Sequence, residues 1–151
     1  MKHAMRTLLF ITLWVAVSAS MQAQHNLQIA TVFEKYGKSK GATMVEMNKE
    51  MLEAYEMTLY KSLMIRTPSP QIKSYILECI AADKKRAKKI KEVVENSTLL
   101  SGYYQLPQEK QDVNRFILYK ESKKKVVTLI YIEGELDADD LITMLFMKQN
   151  N

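Results

Sequence analysis

The chain has 151 residues, room for one domain and too few for two comfortable ones. Its 22 Lys and Arg against 17 Asp and Glu give a formal charge of +5. Two of those cations, Lys2 and Arg6, lie in a leader-like N-terminus, so residues 24–151 carry 20 against 17, too mild a balance to argue for a nucleic-acid partner. Cys79 is the single cysteine, which excludes an internal disulfide and leaves the apolar core to hold the fold; its expected role is a small buried apolar residue rather than a redox group.

After Lys2 and Arg6 comes an apolar run at 7–17, TLLFITLWVAV, and then the small, polar SASMQAQ. That is the layout of a secretory signal peptide. The run is short of the roughly 20 apolar residues that span a bilayer, so a permanent anchor is the weaker reading. Cleavage is expected after Ala19 or Ala23, and no Cys follows for lipid attachment. The expected organisation is a signal peptide over 1–23 and one α+β domain over 24–151.

Residues 26–36 place Leu27, Ala30 and Phe33 on one helical face, which Gly37 and Gly41 end. A strand follows at 42–47, then a short helix at 49–56 capped by Asn48. The strand at 58–66 alternates Leu59, Leu63 and Ile65 against Tyr60, Ser62 and Met64, with Lys61 interrupting the apolar side. TPSP at 67–70 stops it, and Ser69 with Pro70 starts a helix. The apolar stripe from Ile72 continues through Ala87, Ile90, Val93 and Val94, but one helix over 70–95 would be roughly 39 Å long and bury Asp83 in its stripe. Two helices, 70–82 and 84–95, bent near Asp83, are therefore predicted.

Three strands follow, at 98–106 with Gly102 as a bulge candidate, at 114–120, and at 125–136. The last has the longest run of β-branched and aromatic residues in the chain, with no inside/outside alternation, as suits a central strand. Asp137 caps a final helix over 138–147. The fold class expected is α+β: a mainly antiparallel sheet of about five strands with helices packed on one face, in two layers.

Three stretches could carry chemistry. Lys84, Lys85, Lys88, Lys89 and Lys91, with Arg86, form a basic run suited to anionic headgroups or lipopolysaccharide phosphates; its bland reading is the solvated face of a helix. Tyr103, Tyr104, Tyr119 and Tyr131 lie in the three C-terminal strands. If helices cover one sheet face only, some of these rings reach the other and form a partner surface for a protein or glycan; otherwise they pair across strands. The acidic run at 133–140 lacks the pattern of a calcium loop and reads as helix capping. The one histidine after the leader, His25, leaves Ser and Cys nucleophiles without a base, so no catalytic residue, metal or cofactor is expected.

The stretches FEKYGKSKGATMVEMNKEM, YKSLMIRT, AKKIKEVVEN, SGYYQL and TLIYIEGELDADDLITMLFMK resemble small exported proteins of domain-of-unknown-function families typical of Gram-negative Bacteroidetes. The resemblance implies an exported α+β domain in the periplasm or at the cell surface, and it carries over no functional residue. The expected function is non-enzymatic binding of an envelope protein or glycan, with membrane contact at most peripheral. The alternatives are anionic-surface binding through the basic run, and a small hydrolase or metal-dependent enzyme. Partner and oligomeric state are not encoded in any motif.

Overall fold

The computed structural model describes residues 27–147, so the expected signal peptide and His25 lie outside the described residues. The elements run α1 (Ile29–Tyr36), β1 (Ala42–Glu46), α2 (Lys49–Ala54), β2 (Met57–Arg66), α3 (Pro70–Asp83), a 3₁₀ turn (Lys84–Arg86), β3 (Lys89–Glu95), β4 (Thr98–Leu106), β5 (Asn114–Glu121), β6 (Val126–Gly134) and α4 (Ala138–Met147). The strands form one six-stranded sheet in the order β1-β2-β6-β5-β4-β3, with every neighbouring pair antiparallel. The fold is α+β, as expected, with one more strand than predicted.

The caps fall where short polar side chains precede apolar periodicity. Asn48 accepts from the Met51 amide at 2.9 Å and Ser69 from the Ile72 amide at 3.3 Å, with Pro70 in the first turn of α3. Strand β6 lies between β2 and β5. Its odd residues Val127, Leu129 and Tyr131 join a core with Ile29, Val32 and Phe33 of α1 and Ile76, Cys79 and Ile80 of α3. Its even residue Ile132 joins a second core with Phe116, Leu118, Tyr103, Leu136 and the α4 residues Ala138 and Leu141. Burial on both faces is why the strand shows no alternation. Helices therefore cover both faces of the sheet, and the expected two-layer arrangement is corrected: the apolar even positions of β5 and β6 need their own cover, and α4 crosses to supply it.

The second correction concerns residues 84–95, predicted as a helix. They form the 3₁₀ turn and then β3, whose seven residues are all exposed at the sheet edge. Ile90 and Val94 are four apart, a spacing that fits a helix face and one side of a strand equally well. The turn decides between them. Asn96 and Ser97 both have positive φ, 48° and 62°, the left-handed pair that joins two strands in a tight hairpin. Replacing Ser97 with glycine relieves the left-handed strain and is expected to stabilise the protein by about 0.5–1 kcal/mol. Thermal unfolding of the variant checks this; a helix at 84–95 would gain nothing from it. The bulge also moves: the register slips between Val93 and Val94 opposite Leu99 and Ser101, whereas Gly102 keeps regular pairing and lies under the Tyr104 ring.

Candidate functional site

On the α1 side of the sheet, antiparallel register brings Leu59 opposite Glu133, Lys61 opposite Tyr131, and Arg115 opposite Glu133. All five therefore share one face. Ala30, Phe33 and Glu34 of α1 stand over one side of this patch, with Gly37 and Lys38 just beyond the helix. The connection between β4 and β5 supplies Glu109, Lys110 and Val113 on the other. Between them is an open cleft of about 640 Å³ whose lining is both apolar, from Leu27, Phe33, Met44 and Leu59, and charged.

Arg115 is the buried member of the charged set. Its Nε donates to the Tyr131 hydroxyl at 3.0 Å, and its Nη1 lies 3.1 Å from Glu109 Oε1 and 3.4 Å from the Pro107 carbonyl oxygen. The Tyr131 hydroxyl in turn donates to Glu133 Oε1 at 2.6 Å. A buried guanidinium is tolerable only when its donors are matched like this. Burial raises the Tyr131 phenol far above its ordinary range; its hydrogen bond to Glu133 adds to this, and Arg115 opposes it. The phenol thus stays protonated at neutral pH. It can hold groups in place but cannot serve as a phenolate base.

One further buried charge positions the cleft wall. Asp83, at the end of α3, accepts from the amides of Gln28 at 2.8 Å and Ile29 at 2.9 Å, the first turn of α1. A carboxylate from a distant element thereby caps the helix that overhangs the cleft. Burial pushes its pKa up, against the two backbone hydrogen bonds and the field of Arg115, which pull it down.

The tyrosines singled out from sequence do not form an open face. Tyr103, Tyr104, Tyr119 and Tyr131 are 5%, 0%, 2% and 8% exposed, so the expected partner surface on these rings is corrected. Tyr103 packs against Phe116 on the α4 side, with ring centroids 6.0 Å apart, and the other three point into the α1/α3 core. With both sheet faces covered, rings on either parity become core. Burial, and then Glu121, pushes Tyr119 up to about 12; burial, and then Glu92, raises Tyr104 further, and Tyr103 is also raised, by burial and then Asp139 and Asp137. Alkaline absorbance titration is therefore expected to leave Tyr103, Tyr104, Tyr119 and Tyr131, four of the eight tyrosines, un-ionised past the ordinary phenol range while the fold persists. A folded-state phenol pKa above the unfolded value adds stability below about pH 10 that is lost as the pH rises through the folded values, so these phenols should titrate together with base-induced unfolding. Smooth titration of all eight at ordinary values in the folded protein would contradict the burial.

The basic run is divided rather than gathered on one helix. Lys84 pairs with Glu92 at 3.1 Å, Lys85 stands on the 3₁₀ turn, and Lys88, Lys89 and Lys91 are exposed at the start of and along β3. The acidic run is divided too: Glu133 faces the cleft, and Asp137 accepts from the Ala138 amide at 2.6 Å. Among the described residues, no three His, Cys, Asp or Glu side chains are grouped to hold a metal ion. Cys79 is buried.

Sequence reasoning passed over Arg115 and Lys61. Both left a mark: Arg115 is a cation heading the apolar strand FILY, and Lys61 breaks the apolar side of β2. Such breaks point to a polar site when register places them side by side. A family model described as "Family of unknown function (DUF6108)" matches residues 16–145. Comparison with curated proteins finds no match, and comparison with solved structures finds none.

Proposed function

For a chain that belongs to DUF6108, a family of unknown function, we propose the role of an exported, non-enzymatic binding domain that holds an envelope component in the cleft beneath α1. Export rests on the leader-like residues 1–23, and the Gram-negative periplasm or cell surface on the resemblance to exported Bacteroidetes proteins. The observation that carries the binding role is the cleft itself: an open space of about 640 Å³ lined by the apolar Leu27, Phe33, Met44 and Leu59, the cations Lys38, Lys61, Lys110 and Arg115, and the carboxylates Glu34, Glu109 and Glu133. A chain-like ligand with both apolar and polar parts suits that mixed lining. The Arg115–Tyr131–Glu133 network is built for rigidity, which favours recognition over proton transfer.

Ala30 lines the cleft from α1 and is half-buried. Ala30→Trp would fill the space with an indole. Envelope extracts passed over the native protein should yield a bound component that the tryptophan variant fails to retain. Equal retention by both would remove the cleft from consideration.

A second reading has its own support. Lys85, Lys88, Lys89 and Lys91 are all exposed, so attachment to anionic lipid or lipopolysaccharide stays open as a peripheral contact. No helix among the described residues is long and apolar enough to cross a membrane. This reading expects salt-sensitive sedimentation with anionic liposomes, lost when those four lysines become glutamine.

A further inference from the structure

Strand β3 is one edge of the sheet. Ile90, Val93 and Val94 on it are 48%, 57% and 58% exposed, and β-branched side chains left open at a sheet edge are a template for another strand. We infer that β3 pairs with β3 of a second copy of this chain, antiparallel and centred on Glu92, to make a closed two-fold dimer with one continuous sheet.

The sequence of the strand selects both the occupant and the register. A two-fold axis perpendicular to the sheet places opposite one another only residues of the same face. Centred on Glu92, Ile90 meets the partner's Val94, and Val94 meets the partner's Ile90, on the α1/α3 side. On the other side Lys89 meets the partner's Glu95, and Glu95 meets the partner's Lys89. Two apolar pairs and two opposite-charge pairs thus form, while Lys91 and Val93 meet the partner's Val93 and Lys91, where the lysine stem can lie along the valine. The only like-charge meeting is Glu92 with the partner's Glu92. Each of these is already neutralised within its own chain by Lys84, at 3.1 and 3.2 Å, and receives the Tyr104 hydroxyl at 3.2 Å.

Neighbouring registers are poorer. Centring on Lys91 sets Lys91 against itself and Ile90 against Glu92. Centring on Val93 exchanges the Lys89–Glu95 pairs for Lys91–Glu95 pairs but loses both Ile90–Val94 pairs and sets the apolar Val94 against Glu92. The register slip in the β3–β4 pair does not disturb this scheme, because the extra residue lies on β4: Val93 and Val94 are consecutive, whereas their partners Ser101 and Leu99 skip Leu100. The opposite edge, β1, offers no such match. Self-pairing of its five residues ATMVE about Met44 joins Thr43 to Val45 and Ala42 to Glu46, with no opposite charges. The β3 pairing is therefore isologous and closes at two copies. A strand of seven residues is roughly 23 Å long, so the contact falls at the small end of specific interfaces and the association is reversible.

The inference is independent of the cleft, whose lining includes no residue of β3. Sedimentation velocity on the protein purified after native processing tests it across the micromolar to millimolar range. The mass should rise from one chain to two and stop there. Lys89→Glu or Glu95→Lys, each turning two attractive pairs into two like-charge pairs, should weaken dimerisation about tenfold. The double variant K89E/E95K should restore it to the native level, with the same circular dichroism throughout because both positions are exposed. A chain that stays monomeric over the whole range overturns the inference. So does a dimer indifferent to the single substitutions, or one the double variant does not restore.

Discussion

Gly134→Ala is expected to cost about 3 kcal/mol or more of stability, enough to lower Tm by roughly 10 °C. Gly134 closes β6 and pairs with both Met57 of β2 and Asn114 of β5. A Cβ at this position would run into the Glu56 carbonyl oxygen, would lie 2.7 Å from the Met57 Cα, and would lie 2.9 Å from the Leu136 side chain. The leucine can rotate away; the backbone cannot. Glu56 is itself fixed, with a positive φ of 56° and a carbonyl that accepts from the amides of Glu135 at 2.9 Å and Leu136 at 3.3 Å. This corner fastens the start of β2 to the end of β6 and sets the chain's exit toward α4. Chemical denaturation followed by circular dichroism measures the loss. A change within about 0.5 kcal/mol, the range of an ordinary surface substitution, would mean that the corner is looser than the geometry states.

Asp83→Ala is expected to cost about 2–4 kcal/mol, because it leaves the buried Ile29 amide and the part-buried Gln28 amide without their shared acceptor at the start of α1. The cost should be accompanied by earlier amide exchange in α1 than in β5 and β6, since α1 alone loses its cap. The pH dependence carries a sign. Burial holds the folded-state pKa of Asp83 above its ordinary 3.8. The stability linked to that proton is fully present below the unfolded pKa and is lost as the pH rises through the folded value. Asp83→Asn has no proton to lose. The stability gap between the native protein and this variant should therefore narrow as the pH rises from 3.8. A gap that widens over that interval would show that the two amides and Arg115 outweigh the burial.

Much of the fold was legible because local chemistry and tertiary setting agree. Asn48, Ser69 and Pro70 mark helix starts that the structure keeps. The uninterrupted apolar run of β6 marks a strand buried on both faces. Two things were not legible. Residues 84–95 satisfy a helical stripe and a strand side at once through Ile90 and Val94, and the deciding hairpin turn uses Asn96-Ser97 rather than a glycine pair. The tyrosine face depended on which sheet face each helix covers: Tyr104, Tyr119 and Tyr131 lie under α1 and α3, and Tyr103 is covered by α4 from the far end of the chain. The cleft was least legible of all. Its members Ala30, Lys61, Glu109, Arg115 and Glu133 lie on five separate segments, and only antiparallel register and the cap by Asp83 assemble them.

The binding role can be read most directly in the living cell with a photo-crosslinking amino acid at Ala30, on the cleft wall, and separately at Lys124, on the exposed turn between β5 and β6. Irradiation should give a discrete adduct to an envelope component from position 30 and none from position 124, and Lys61→Glu combined with the position-30 probe should diminish it. No adduct from position 30, or the same adduct from both positions, would contradict recognition through the cleft.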